Sequence, residues 1–494
     1  MDLSGLFQGA ADFNEDLSGW DTSQVTNMNS MFAEATRFTG DISKWNVAKV
    51  QDMGSMFSLA ENFNSDLSAW DTSKVTDMNH MFFQTFSFTG DLSAWDVSNV
   101  GDMGGMFYLA EKFTSDLSTW DTSSVTNMQS MFSYAFNFNS ELGAWDVSSV
   151  QNMDSMFHFA ENFNADLSGW DTSSVTDMTF MFALAWDFDS KLNTWNTSHV
   201  QSMVGMFSGA ETYNSDLSNW DTSSVTDLNF MFSGASTFNG EIGEWDVSKV
   251  QSMFSMFEEA SSFNADVSAW NTSSVSEISA MFLRAFQFSS NLGDWDVSNV
   301  QYMSSMFYND TAFSSDLSAW NTSSVIDMSG MFEQASNFES DLSLWDVKSV
   351  ENMGHMFDGA ERFNSDLSMW DVSNVRYMRS MFRDASVFNS DLSSWNTLNV
   401  KNMNSMFHHA SAFNQDISKW NVSQVTDMNG MFYQAEKFDR NLCAWGIHLA
   451  GKTIRIEDDE YEEEYPMFEG TSCPEQSDPD LFNNPPGPFC HACT

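Results

Sequence analysis

Carboxylates recur at Asp16, Asp41, Asp66, Asp91 and Asp116, one every 25 residues, and the series runs on to Asp416. If 25 residues make one layer of a stack, neighbouring carboxylates lie roughly 5 Å apart and repel one another. Two arrangements relieve that repulsion. A divalent cation can bridge the column, and Ca²⁺, which favours clustered oxygen ligands, is the ion it would take. Alternatively, each carboxylate accepts hydrogen bonds from nearby N–H groups and is otherwise solvated. Glu141 and Glu241 stand in the column, while Lys191 and Asn291 interrupt it. Lys191 would ease the repulsion between Asp166 and Asp216 without a metal.

A second column holds Asp21, Asn46, Asp71, Asp96 and Asp121, and later Asn196, Asn271 and Asn321. Asp and Asn exchange freely there. A metal site would miss the charge, whereas an Asx-turn needs only the shared side-chain oxygen. Ser18, Ser43, Ser68, Ser93 and Ser118 form a hydroxyl column. A nucleophile needs a base and an orienting group, and no histidine keeps a fixed spacing to these serines. The eight histidines form no column of their own. The sequence therefore offers no catalytic constellation, and an enzyme is not expected.

Sites are expected where the columns break. "VRYMRSMFRDA" places Arg376, Tyr377, Arg379 and Arg383 at helical spacing, which predicts one shared basic face for a partner. Glu351, Arg376 and Lys401 share a column, so ion pairing is an alternative account of the same residues. Sequons occur at Asn196, Asn271, Asn309, Asn321 and Asn421. Only Asn309 lies outside the Asx column, which makes it the glycosylation candidate. All four cysteines, Cys443, Cys473, Cys490 and Cys493, cluster near one end of the sequence. Clustered cysteines of this kind fit an oxidising compartment. Of the three pairings allowed, Cys443–Cys473 with Cys490–Cys493 is the expected one. "CHAC" alone has too few ligands to indicate zinc, and no cofactor is expected apart from Ca²⁺.

Composition narrows the class further. The 494 residues carry 69 acidic and 19 basic side chains, a net charge of −50. Such a field repels phosphate backbones and anionic lipid surfaces, which argues against nucleic acid as a partner. Apolar residues make up 42%, enough for a core, but no run is long enough to span a membrane.

The elements that position these residues follow from an internal repeat. Trp recurs every 25 residues from Trp20 to Trp445, in parallel with Val25, the Met31-Phe32 pair, Phe13 or Phe38, and Leu17 or Ile42. A fixed period without insertions means stacked coils, each burying the apolar row of the next. Val25, Met28, Met31, Phe32 and Ala35 follow helical spacing, which predicts a helix or 3₁₀ segment. Asp16-Leu17-Ser18 predicts a short parallel strand, and Trp20-Asp21 the corner between them. The expected fold is an α/β repeat solenoid of about 18 coils. Residues 1–447 would form the solenoid, entered in the middle of a repeat and without an N-terminal cap. Residues 448–473, with an acidic loop at Glu457–Glu464, would form an edited final coil, and residues 474–494 an extended tail.

"FNSDLSAWDTSKVTDMNHMF", Phe63 to Phe82, resembles the 25-residue repeat of the BspA-like leucine-rich-repeat surface proteins. The resemblance covers about residues 1–447. It implies a right-handed, leucine-rich-repeat-like solenoid that is secreted or held at the cell surface, with adhesion or binding of a protein or glycan as its role. It brings no shared catalytic site.

Overall fold

The computed structural model describes residues 1–454 and 465–494. Two compact units are distinguished, Met1–Lys249 and Val250–Thr494. Each is a repeat solenoid in which the chain winds in 25-residue coils and every residue sits beside its equivalent one coil on. In the first unit, isolated parallel bridges link Asp2 to Asn27, Asn27 to Asp52, and so on to Asp227; in the second they run from Ser252 and Glu277 to Asp427.

One bridging residue per coil is a small sheet, and the backbone beside it shows why. Alternate N–H groups cross to the next coil: Met28 donates to the carbonyl of Asp52 (2.9 Å), Ser30 to Gly54 (2.8 Å), Phe32 to Met56 (2.9 Å) and Glu34 to Ser58 (2.7 Å). The residues between them close turns within the coil, Met31 to Met28 (3.1 Å), Ala33 to Ser30 (3.1 Å) and Ala35 to Phe32 (3.0 Å). Half of these N–H groups hold the coil and half hold the stack, so none of this backbone is left without a partner.

This overturns the expected helix over Val25–Ala35. Ser30 and Glu34 have φ of 55° and 64°, and their equivalents repeat it coil after coil. A left-handed residue at every fourth position breaks a right-handed helix. The turns use i→i−3 bonds, which put Met28, Met31 and Ala35 on one side just as a helix would. Glycine stands at these same two positions in Gly5, Gly105, Gly205, Gly330 and Gly430, and in Gly9, Gly209, Gly234 and Gly359. The expected strand at Asp16–Ser18 is also displaced. There Ser18 N–H donates to Asp16 Oδ1 (2.9 Å) and Trp20 N–H to Leu17 (3.1 Å), which makes a turn, while the ladder lies at Asn27–Glu34. Among the described residues, helix is confined to a 3₁₀ turn at Cys443–Trp445 and α1 at Gly446–Leu449.

The core columns form as expected. Phe32 stacks on Phe57 (5.8 Å), Phe38 on Phe63 (5.8 Å), and Phe57 on Phe63 (3.9 Å). In the second unit Phe332 stacks on Phe357 (5.7 Å) and Trp370 on Trp395 (6.4 Å). One further position alternates between Thr and Val, as in Thr22, Val47, Thr72 and Val97, and it is internal as well: Thr72 is buried, and its hydroxyl donates to the carbonyl of Asp96 (2.8 Å).

Near the end of the second unit, Met467-Phe468 take up the ladder. Phe432 N–H donates to Met467 (3.0 Å), and the Phe468 ring lies 5.6 Å from Phe432. The acidic loop Glu457–Glu464 lies outside the described residues. The disulfides are Cys443–Cys493, with Cα atoms 5.5 Å apart, and Cys473–Cys490, at 4.9 Å. They replace the expected Cys443–Cys473 and Cys490–Cys493. The reason is the path of residues 474–494, which are not extended but double back through antiparallel bridges Asp480–Gly487 and Phe489–His491. Buried Phe489 accepts from Leu442 N–H (3.3 Å), which lays Cys490 beside Cys473 and brings Cys493 to Cys443.

Candidate functional site

In each turn segment the core positions are nearly uniform, and the four positions between them, those of Asn29, Ser30, Ala33 and Glu34, range from buried to exposed. The core does not dictate the residue at these four, and the coils differ there.

In the first unit these positions collect aromatic rings. Phe83 and Tyr108 occupy the Ala33 position in successive coils and stack at 4.7 Å and 9°. Tyr134 meets Tyr108 edge-on at 5.6 Å and stacks on Phe159 at 4.7 Å. Beside this strip, Gly104 and Gly105 leave a trough of about 430 Å³. Phe83, Tyr108 and His80 form its aromatic wall, and Asn79, Asp102, Asn127 and Gln129 its polar rim. The glycines make the space: a β-carbon on Gly105 would lie 2.8 Å from the His80 ring, and one on Gly104 would lie 2.9 Å from Asn127 Nδ2. The rim is ordered by its own bonds, Asn127 Nδ2 to Asp102 Oδ1 (3.0 Å) and Gln129 Nε2 to Asp154 Oδ2 (2.8 Å).

In the second unit the same positions carry charge. His355 Nδ1 lies 3.1 Å from Asp358 Oδ2 and 4.0 Å from Glu333 Oε2. Further along, Arg383 Nε lies 3.4 Å from Asp384, and His409 Nδ1 lies 3.0 Å from Asp384. Burial pushes the Glu333 carboxyl up to about 7, against the pull of His355. Burial raises Asp358 as well, opposed by its hydrogen bond from His355. Burial, aided by Arg383, brings the His408 imidazole down to about 4. In each case low-dielectric surroundings disfavour the charged form.

The residues singled out from the sequence are distributed differently. The shared basic face of Arg376, Tyr377, Arg379 and Arg383 depended on helical spacing, and the helix is absent. Arg376 pairs with Glu351 (3.3 Å) and lines a depression with Lys401, Leu398 and Asn399. Arg383 belongs instead to the charged strip beside Asp358. Tyr377 is exposed and serves as a bridging residue of the ladder.

The acidic column is bonded locally. Ser18, Ser43, Ser68, Ser93 and Ser118 each donate their N–H to Oδ1 of Asp16, Asp41, Asp66, Asp91 and Asp116, at 2.9 to 3.0 Å. Hydrogen bonds from these serines, side chain and backbone together, hold the carboxyls below the usual range, against mutual repulsion such as that of Asp41 on Asp16. Lys191 lowers Asp166 further. The second column does make Asx-turns with either residue, as in Ser73 N–H to Asp71 and Ser198 N–H to Asn196. Asn309 is half-buried with φ 54°, beside the buried Asp310.

The sequence reading missed Phe83, Tyr108 and Tyr134, and it missed the grouping of Glu333, His355 and Asp358. Phe83, Tyr108, Glu333 and Asp358 depart from the Ala33 and Ser58 of their position, and His355 from the Ser30 and Ser55 of its own, a signal visible once these positions are known to be free of the core. Tyr134 stands at a position that already holds Leu59, Gln84 and Leu109 and gives no such signal.

A family model described as "Mycoplasma protein of unknown function, DUF285" matches residues 1–118, 110–219, 181–295, 205–318, 284–386 and 365–454. No curated protein matches the chain. Among solved structures, a leucine-rich repeat protein from Bacteroides ovatus is 12% identical, with 76% of this chain and 81% of that one covered and a TM-score of 0.31. A leucine-rich repeat protein of Leptospira interrogans is 7% identical, with 76% and 89% covered and a TM-score of 0.20. The plant peptide hormone receptor RGFR1, in complex with RGF2, is 9% identical, with 80% and 74% covered and a TM-score of 0.19.

Proposed function

The chain belongs to the DUF285 family, and from that premise we propose that it is a non-enzymatic repeat scaffold, displayed outside the cell, that holds a protein or glycan partner on the outward face of its turn segments. One observation carries this reading. The inward side chains barely change from coil to coil, while the outward ones range from Gly105 through Phe83 and Tyr108 to Glu333 and Arg383. Stacking alone accounts for the uniform set. The varied set is not needed for stacking, since coils with Ala33 or Ser58 there stack as well, and it supplies what recognition needs, which is aromatic surface beside oriented amides and carboxylates. The trough at Gly104–Gly105 has that composition and is large enough for a sugar ring or a peptide side chain.

Display outside the cell is supported by the two disulfides, which persist in oxidising surroundings, and by the resemblance to BspA-like surface proteins. The charge of −50 favours basic or neutral partners over nucleic acid.

The test is a glycan array and a protein pull-down with the whole chain, disulfides intact, run beside the Phe83→Ser/Tyr108→Ser variant. A partner that binds the wild type and is lost by the variant supports the reading. A partner held equally by both contradicts the assignment to this face, and the absence of any partner contradicts the scaffold role.

A further inference from the structure

We propose that Glu333, His355 and Asp358 form a binding site for a divalent transition-metal cation of the zinc class. Glu333 and Asp358 occupy the same position in successive coils, and His355 stands three residues before Asp358. One donor atom from each lies within 4.8 Å of the other two. Around a tetrahedral zinc with bonds of about 2.0 Å, neighbouring donors stand about 3.3 Å apart. The observed separations of 3.1 Å and 4.0 Å from His355 Nδ1 bracket that value. Small side-chain adjustments therefore bring the three onto one ion.

The donor chemistry fits. One imidazole and two carboxylates are ligands zinc accepts, and the two negative charges balance a divalent ion. Asp358 supplies the second indication. It is 95% buried by its residue exposure of 5%, yet its carboxylate takes its side-chain hydrogen bond from His355. The Asx carboxylates of this chain are instead held by scaffold N–H groups. A buried carboxylate keeps its charge only when it is paired or coordinates a metal, and a cation at this point supplies that partner. The side chains of His355 and Glu333 remain 34% and 22% exposed, which leaves a path for the ion and room for water in the remaining position.

The scaffold holds the ligands in place. Their backbones are pinned by His355 N–H to Arg379 (2.7 Å), Asp358 N–H to His355 (3.1 Å) and Gln334 N–H to Asp358 (2.6 Å). Arg383 lies close enough to lower both carboxyls and pairs with Asp384, so it can turn toward Asp384 when a cation arrives. The other close grouping among the described residues, Asp439, Cys490 and His491, lacks a thiolate because Cys490 is in a disulfide.

The test is calorimetric titration of the whole, chelator-stripped chain with Zn²⁺, and the absorption spectrum with Co²⁺ as a probe. The expected result is one tight equivalent, a Co²⁺ spectrum of low coordination number, and a loss of affinity of at least about tenfold in both His355→Ala and Glu333→Gln. His199→Ala is expected to bind as the wild type does. Glu333→Gln changes a partly exposed side chain without changing its shape, so a normal melting curve with lost binding separates ligation from folding. Absence of a tight equivalent in the wild type, or unchanged affinity in Glu333→Gln and His355→Ala, overturns the proposal.

Discussion

The indole N–H of Trp120 donates to the backbone carbonyl of Leu92, 28 residues earlier, at 3.0 Å. Trp70 reaches Ile42 in the same way (3.3 Å), and in the second unit Trp395 reaches Leu367 (3.0 Å). Each of these tryptophans is thus bonded to the coil before. The bond satisfies a buried indole N–H that stacking would otherwise strand.

Trp120→Phe keeps most of the apolar surface but removes one of the two donors to the Leu92 carbonyl, the other being Trp95 N–H (3.0 Å). The expected loss is about 0.5 to 1.5 kcal/mol in chemical unfolding. Trp186 lies outside the column and is exposed, so Trp186→Phe is expected to leave the unfolding midpoint unchanged.

Glu34 distinguishes the turn segment from a helix. It is exposed and has φ of 64°. Glu34→Gly relieves a left-handed strain of about 1 kcal/mol and is expected to raise the melting temperature. In a helix the same change would lower stability by about 1 kcal/mol. Glu34→Val, β-branched and intolerant of positive φ, is expected to lower it.

Asp310 replaces the alanine found at Ala285 and Ala335. It is fully buried, Oδ2 has no hydrogen-bond partner among the described residues, and burial raises its carboxyl well above the ordinary 3.8. The folded state therefore holds this proton more tightly than the unfolded state does. Its contribution to stability is full below the unfolded value and is lost as pH rises toward the folded value. Asp310→Ala is expected to add about 1 to 3 kcal/mol near neutral pH and to flatten this part of the pH dependence. Unfolding curves at about pH 4 and about pH 7 check both points. A variant less stable than the wild type at neutral pH would contradict the assignment.

The stack was legible in the sequence because burial imposes one residue type at each inward position. The Trp, Val, Met-Phe and Leu columns followed from that, and the Asx-turns from the free exchange of Asp with Asn. The backbone between Val25 and Ala35 was not, because turns closed by i→i−3 bonds place apolar side chains at nearly the same spacing as a helix. The contrary signal lay in Gly5, Gly105, Gly205, Gly330 and Gly430, all at one position where a helix has no use for glycine. The disulfide pairing depends on how residues 480–491 fold back, and no spacing encodes that. The candidate site was hidden for a similar reason. Phe83 and Tyr108, like Glu333 and Asp358, are 25 residues apart and become neighbours only once the coil is known to be outward-facing there.

Hydroxyl-radical footprinting of the whole chain, with and without a partner captured on the glycan array or in the pull-down, tests the central claim most directly. Binding on the outward face is expected to protect Phe83, Tyr108 and Tyr134 from labelling. Leu344 and Met369, on another face of the coils and 84% and 82% exposed, are expected to label as before. Protection of Leu344 and Met369 with unchanged labelling of Phe83 and Tyr108 would contradict the account.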